Sequence, residues 1–162
     1  MGVVAFWFTV ILVVLADQAT KAAVNHALPV GAPARTLIPG LIDLYHVENT
    51  GAAFSIGRGA SWLFVLCAAV VFVISCLFVW RNDLPLPLAM SIGSVAGGGA
   101  ANMVDRLANG SVTDFLATSF IDFPVFNVAD VFVTCGVIVS LLLYLRWDAQ
   151  QEAERAGEDR DG

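Results

Sequence analysis

Long apolar segments alternate with short polar stretches along this chain. Four such segments can be distinguished, at residues 2–16, 60–80, 84–104 and 131–145. A helix that crosses the hydrocarbon core of a bilayer needs about twenty apolar residues. The first and last segments reach that length only if they include Asp17 and Asp130. The pattern therefore predicts four transmembrane helices, over about 3–22, 60–80, 84–104 and 127–146.

Composition agrees with a membrane protein. Hydrophobic residues make up 58% of the chain, charged residues only 14%, and the mean hydropathy is +0.79. A soluble domain of this size does not need so apolar a sequence. We therefore expect an all-α integral membrane protein whose single embedded domain spans residues 1–147. The first segment lacks the basic start and small-residue cleavage pattern of a signal peptide, which favours a permanent helix.

The C-terminal stretch 148–162 has a different character. It holds six acidic residues and two arginines and no aromatic residue. Such a composition is typical of a solvated, disordered tail. It also argues against a nucleic-acid partner.

Four crossings place the two termini and the turn at 81–83 on one face. The opposite face receives the loop over 22–59 and most of the polar residues near the helix ends, namely Asp17, Lys21, Asn102, Asp105, Arg106, Asp114, Asn127 and Asp130. Because folding alone does not require this convergence, it indicates a single functional site there. Four basic residues lie on each face, so charge does not decide the orientation.

The loop before the second helix has structure of its own. Residues 35–48 mix β-branched and aromatic residues around Pro39-Gly40, which predicts a hairpin or small sheet. We also expect a short amphipathic helix on the same face.

Asp114 and Asp130 are the residues that indicate chemistry. Two carboxyls within reach of one water share a proton, so that one acts as base and the other as acid in peptide hydrolysis without a metal. The structural alternative is that Asp114 caps a turn and Asp130 caps the fourth helix. His26 and His46 lack a His-Glu-x-x-His pattern, so no metal is expected. A hydrolase that pairs Lys21 with a serine stays open, but it leaves both aspartates without a role.

The motifs together resemble the lipoprotein signal peptidases, the signal peptidase II family. Five runs carry the resemblance, in the family's order: Asp17 to Lys21, Asn49 to Ser55, Asn102 to Leu107, Gly110 to Phe115, and Phe123 to Asp130. The resemblance implies an aspartyl endopeptidase without a cofactor in the bacterial plasma membrane. Both termini would be cytoplasmic, and the site would face the outer leaflet.

The same resemblance implies the substrate and the residue roles. Substrates would be prolipoproteins, cut just before a diacylglyceryl-modified cysteine. Independently of the resemblance, we expect a monomer in contact with membrane lipids, although the sequence does not reveal the oligomeric state. Asp114 and Asp130 would form the catalytic pair. The supporting positions would be Asp17, Lys21, Asn49, Gly51, Asn102, Arg106 and Asn127. Asp105 would form an ion pair with Arg106 or end a solvated helix.

Two other functions remain as alternatives. A small proton-coupled transporter would also use intramembrane carboxylates, although its acids should be distributed along the helices. A structural assembly factor would tolerate replacement of both aspartates.

Overall fold

The computed structural model describes residues 1–51 and 61–161. Its elements, in chain order, are α1 (Gly2–Ala27), β1 (Arg35–Ile38), β2 (Ile42–Asn49), α2 (Ser61–Arg81), α3 (Leu86–Asn109), β3 (Val112–Thr118) and α4 (Val128–Asp161). Helices therefore occur at all four predicted positions. They alternate in direction, and α3 packs against each of the other three.

Three of the described helices are long and apolar enough to cross a membrane. These are α1, α2 and the part of α4 from Val128 to Ala153. The remaining helix, α3, matches the third predicted crossing. It has 24 residues but a lower hydropathy, because glycine, serine and asparagine occupy many of its positions. Composition and length thus support three spans directly.

Several helix bounds differ from the predicted ones. α1 continues past residue 22 to Ala27, and α3 continues past residue 104 to Asn109. α4 does not end near Arg146 but continues through Asp161, so the stretch predicted to be disordered is helical that far. Its alanine, glutamine, glutamate and arginine residues are good helix formers. A polar sequence with this composition suits a solvated helix as well as a coil.

The small β element is a three-stranded antiparallel sheet in the order β1-β2-β3. The hairpin of β1 and β2 turns at Pro39-Gly40 as predicted, and Gly40 has a φ of +71°, which favours glycine. β3 was not predicted as a strand. It pairs with β2 so that Val47 lies opposite Asp114. Within the described residues we find no separate short amphipathic helix.

The apolar core and the polar residues occupy opposite ends of the bundle. The core lies at the start of α1, the end of α2 and the start of α3, with Phe6, Val79 and Leu88 almost fully buried. Small residues bring the backbones together along α3. A Cβ on Gly93 would lie 2.7 Å from the Phe6 carbonyl oxygen, and one on Gly97 would lie 3.0 Å from that of Val10. Such close approach is typical of helix pairs in membranes.

The contact between α3 and α4 provides a matched test. A Cβ on Gly98 would lie 2.6 Å from the carbonyl oxygen of Ala129. Among the described residues, one on Gly99 would meet Ala68 at 3.9 Å and nothing nearer. Because a backbone atom cannot yield like a side chain, Gly98→Ala should destabilise the fold by about 1–3 kcal/mol. Gly99→Ala should be neutral or slightly stabilising, since alanine favours helix by about 0.5–1 kcal/mol. Thermal denaturation in detergent measures both, and equal midpoints would contradict this packing.

Candidate active site

The first turn of α4 is the centre of the polar end of the bundle. The backbone N–H of Asn127 donates to Asp130 Oδ2 at 3.0 Å, and the N–H of Asp130 donates back to Asn127 Oδ1 at 3.0 Å. This reciprocal pair is a capping box with aspartate in the usual glutamate position. A third N–H, that of Ala129, donates to Asp17 Oδ1 on α1 at 2.8 Å. The start of α4 is therefore fixed both locally and to α1.

Asp130 does more than cap this helix. Its other oxygen, Oδ1, accepts a hydrogen bond from Asn102 Nδ2 on α3 at 2.8 Å. The helix-capping role predicted from sequence therefore applies to Oδ2 alone. The second oxygen connects Asp130 to α3.

Asp114 lies on β3 and is almost fully buried. Its Oδ2 accepts from Asn49 Nδ2 at 2.8 Å, and its Oδ1 accepts from Asn127 Nδ2 at 2.7 Å. Asn49 is within reach because β2 pairs with β3 and presents Asn49 on the same face. Asp114 therefore does not cap a turn, and Asn127 contacts both aspartates.

A buried ion cluster lies behind the aspartates. Lys21 Nζ is 2.7 Å from Asp17 Oδ2 and 2.6 Å from Asp105 Oδ2. It also donates to Asn102 Oδ1 at 2.8 Å. Asp105 is only 6% exposed. The expected ion pair of Asp105 with Arg106, or a solvated helix end, is therefore replaced by a buried pair with Lys21.

Sequence reasoning missed the role of Gln18. Its Nε2 donates to Asp105 Oδ1 at 2.8 Å, which joins α1 to α3 beside the lysine. Gln18 belongs to the polar run from Asp17 to Lys21. A polar side chain next to Asp17 on an otherwise apolar helix was the sequence feature that could have indicated its role. The run holds three side chains that reach α3 or α4.

Arg106 lies on the other side of the aspartates. Its Nη2 donates to the Gly51 carbonyl oxygen at 3.2 Å, and the guanidinium lies 5.1 Å above the ring of Phe64. The N–H of Gly51 in turn donates to Asn49 Oδ1 at 3.0 Å. Residues 52–55 of the predicted motif lie outside the described part of the chain.

A cavity of about 530 Å³ opens onto both aspartates. Its polar side is formed by Asn49, Asn102, Arg106, Asp114 and Asp130, and its apolar side by Val112, Phe123, Pro124, Val125, Phe126, Val131, Thr134 and Cys135. The segment before α4 stays in place because Phe126 exchanges backbone hydrogen bonds with Leu116 on β3. The cavity thus combines paired acids with an apolar wall.

The structure gathers all nine predicted site residues in one region. Five line the cavity: Asn49, Asn102, Arg106, Asp114 and Asp130. Asp17, Lys21 and Asn127 are buried behind them, and Gly51 borders the site through its backbone. Among the described residues, no cluster of three His, Cys, Asp or Glu side chains could hold a metal ion.

The environment of Asp114 changes its protonation. Burial raises the pKa of its carboxyl first, and the nearby charge of Asp130 raises the pKa further, while hydrogen bonds from Asn49 and Asn127 lower it. The result is a pKa of about 6. Asp114 therefore keeps its proton at pH values where an ordinary aspartate has lost it. A proton held beside a second carboxyl suits acid and base catalysis.

An apolar helical bundle with paired acids in a half-apolar cavity defines a membrane-embedded enzyme. The chain belongs to the signal peptidase II family, since residues 9–146 match the family model described as Signal peptidase (SPase) II. As a member of that family it is a peptidase. Membership gives no support to the transporter alternative.

Individual relatives agree with this assignment. The chain is 39% identical to a lipoprotein signal peptidase of Syntrophomonas wolfei, over 93% of this chain and 99% of the relative. It is also 39% identical to one of a Cyanothece species, over 93% and 88%. A solved structure described as a bacterial membrane enzyme superposes with a TM-score of 0.80 at 28% identity, over 87% of each chain.

The pKa of Asp114 can be tested directly. Protonated carboxyl groups can be followed by infrared spectroscopy in detergent, and Asp114→Asn identifies the Asp114 signal by its loss. We expect half-titration at about pH 6. Asn49→Ala should move the midpoint upward, because it removes a donor that favours the ionised form. A midpoint that stays constant or falls in Asn49→Ala would contradict this account of the site.

Proposed function

We propose that this protein is an aspartyl endopeptidase that removes the signal peptide of prolipoproteins, cutting just before a diacylglyceryl-modified cysteine. One observation carries the proposal. Asp114 and Asp130 line the same cavity, and the Asn127 side chain and backbone bond both of them. The family and the names of the relatives supply the substrate class.

The mechanism follows from the unequal surroundings of the two carboxyls. Asp114 holds the shared proton because of its burial and raised pKa, and Asp130 is the base. Asp130 takes a proton from water as the water oxygen attacks the scissile carbonyl carbon. Asp114 gives its proton to the carbonyl oxygen, which yields a tetrahedral diol. Asp130 then gives the proton that it took from water to the amide nitrogen, and Asp114 takes a proton from one hydroxyl of the diol as the C–N bond breaks. This step releases a carboxylic acid and an amine and restores the starting protonation of both aspartates, and no covalent intermediate with the enzyme forms.

The supporting residues have three roles. Asn49, Asn102 and Asn127 hold the carboxylates through amide donors. Arg106 reaches the cavity with a buried Nε that has no hydrogen-bond partner within the described residues. We assign this guanidinium to the substrate backbone near the scissile bond. Around the catalytic dyad, Asp114 and Asp130, Asp17 joins α1 to α4 and Lys21 joins α1 to α3.

The apolar side of the cavity fits a lipidated substrate. Val131 and Cys135 continue the lining along α4 from Asp130, into a segment apolar enough to cross a membrane. Acyl chains partition into a bilayer with about 0.8 kcal/mol per buried CH₂. A diacylglyceryl group would thereby confine the scissile bond to the depth of the dyad, which reduces the entropic cost of alignment.

We also propose that α3 is the fourth membrane span. α3 packs against each of the other three helices, so its small and polar residues face protein as well as lipid. Low hydropathy is acceptable in such a position. Four spans put both termini on one side, which we take as the cytoplasm of a bacterium, and the site toward the outer leaflet. The enzyme acts as a monomer in the plasma membrane.

The test of the proposal is cleavage of a lipidated prolipoprotein by purified protein in nanodiscs. Asp114→Asn and Asp130→Asn should each lower turnover at least about a thousandfold, since asparagine cannot transfer the proton. Asp43→Asn is the matched control, because Asp43 is on β2 away from the cavity lining and its side chain accepts a hydrogen bond from the exposed Ser119. Near-normal turnover in either dyad variant would contradict an aspartyl mechanism.

The same assay tests the substrate class. The prolipoprotein without its diacylglyceryl group should be cleaved much more slowly at equal concentration. Equal rates on both forms would mean that the site reads peptide sequence alone, while the effect of the dyad variants would still stand.

A further inference from the structure

Three asparagines, Asn49, Asn102 and Asn127, lie beside the two aspartates. An asparagine amide has one accepting oxygen and one donating nitrogen, so its orientation is fixed by whichever neighbour can only donate. Asn49 Oδ1 accepts from the backbone N–H of Gly51, and Asn127 Oδ1 accepts from that of Asp130. Each therefore turns its NH₂ group toward Asp114.

Among the described residues, no backbone N–H donates to the side chain of Asn102. Its Oδ1 accepts from Lys21 Nζ at 2.8 Å and from Asn127 Nδ2 at 3.0 Å. An ammonium group carries three donors and no acceptor, so Lys21 requires the oxygen of Asn102 on its side. The nitrogen of Asn102 must then face Asp130 Oδ1, where it donates at 2.8 Å.

The reverse orientation of Asn102 would harm the dyad. Its oxygen would face Asp130 Oδ1, so that two acceptors would meet unless Asp130 were protonated. Its nitrogen would meet the ammonium of Lys21. A base that must be ionised to activate water cannot work in that arrangement.

Resting on the function proposed above, we propose that Lys21 is a positioning residue that, together with the NH₂ group of Asn127, fixes the side-chain amide of Asn102 and thereby keeps a donor on the catalytic base Asp130. Lys21 is not among the described residues that line the cavity. Besides this amide contact, the charge of Lys21 lowers the pKa of Asp114. The competing explanation is that Lys21 only neutralises Asp17 and Asp105 in the buried cluster.

A variant cycle separates these two roles. Asp105→Asn serves as the reference, because it keeps the contact of Lys21 with Asn102. The double variant Lys21→Met/Asp105→Asn breaks that contact but leaves one carboxylate, Asp17, so the cluster keeps the formal charge of −1 that one ammonium and two carboxylates have in the natural chain. Both are then combined with Asn102→Ala. Single-turnover cleavage of lipidated prolipoprotein, with enzyme in excess, keeps slow variants measurable.

With Asn102 present, adding Lys21→Met should lower the single-turnover rate roughly ten- to hundredfold, as for other groups that orient a reacting residue. The enzyme concentration for half-saturation should stay constant. With Asn102→Ala, adding Lys21→Met should change the rate less than about twofold, because residues that act through one another are not additive. An equal loss in both backgrounds, or a loss of affinity in place of rate, would overturn the proposal.

A second variant covers the case in which Lys21→Met does not fold. Asn102→Leu keeps the approximate shape of the side chain but cannot donate to Asp130. It should lose rate while the protein still shows a cooperative thermal transition, and a normal rate would refute the role of the amide. Asp114→Asn in the same assay keeps the two proposals apart. If Asp114→Asn is inactive but the Lys21 effects are additive, only the positioning role fails.

Discussion

The interaction on which the site depends is the capping of α4 at its first turn. A helix that ends near a hydrocarbon layer leaves backbone N–H groups that water satisfies poorly, and each must find a partner within the protein. Here the partners are Asn127, Asp130 and Asp17. The same contacts place a carboxyl at the rim of the cavity and fix α4 to α1.

The other polar groups of the site are connected to this turn through a series of hydrogen bonds. Asn127 reaches Asp114 on the sheet, Asn102 reaches Asp130 from α3, and Lys21 closes the connection to α1. The core cluster at the far end of the bundle consists of apolar residues and contributes packing. The hydrogen-bond donors and acceptors of the site lie at the opposite end. Catalytic groups held in this way need little rearrangement when charge develops in the reaction.

The sequence predicted the four helices and the hairpin, and it named nine residues that the structure brings together in one region. The long apolar segments indicated the helices, and the motif runs fall at the helix ends on one face. It did not predict β3, because Asp114 interrupts a short apolar run whose partner strand, β2, is distant in sequence. The partner of Asp105 was also not predicted, since Arg106 is its neighbour in sequence whereas Lys21 reaches it across a helix interface. Pairings set by tertiary packing leave little trace in local pattern. The C-terminal stretch differed from its prediction for another reason. Its polar composition is compatible with both a solvated helix and a disordered coil, so composition alone could not distinguish them.

The central claim is that Asp114 and Asp130 act on each other as one pair. The direct measurement is the infrared titration of Asp114 in the Asp130→Asn variant, compared with the natural chain. Because the charge of Asp130 raises the pKa of Asp114, removal of that charge should move the midpoint below its value of about 6. An unchanged or higher midpoint would mean that the two carboxyls are not coupled, and the account of a shared proton would be contradicted.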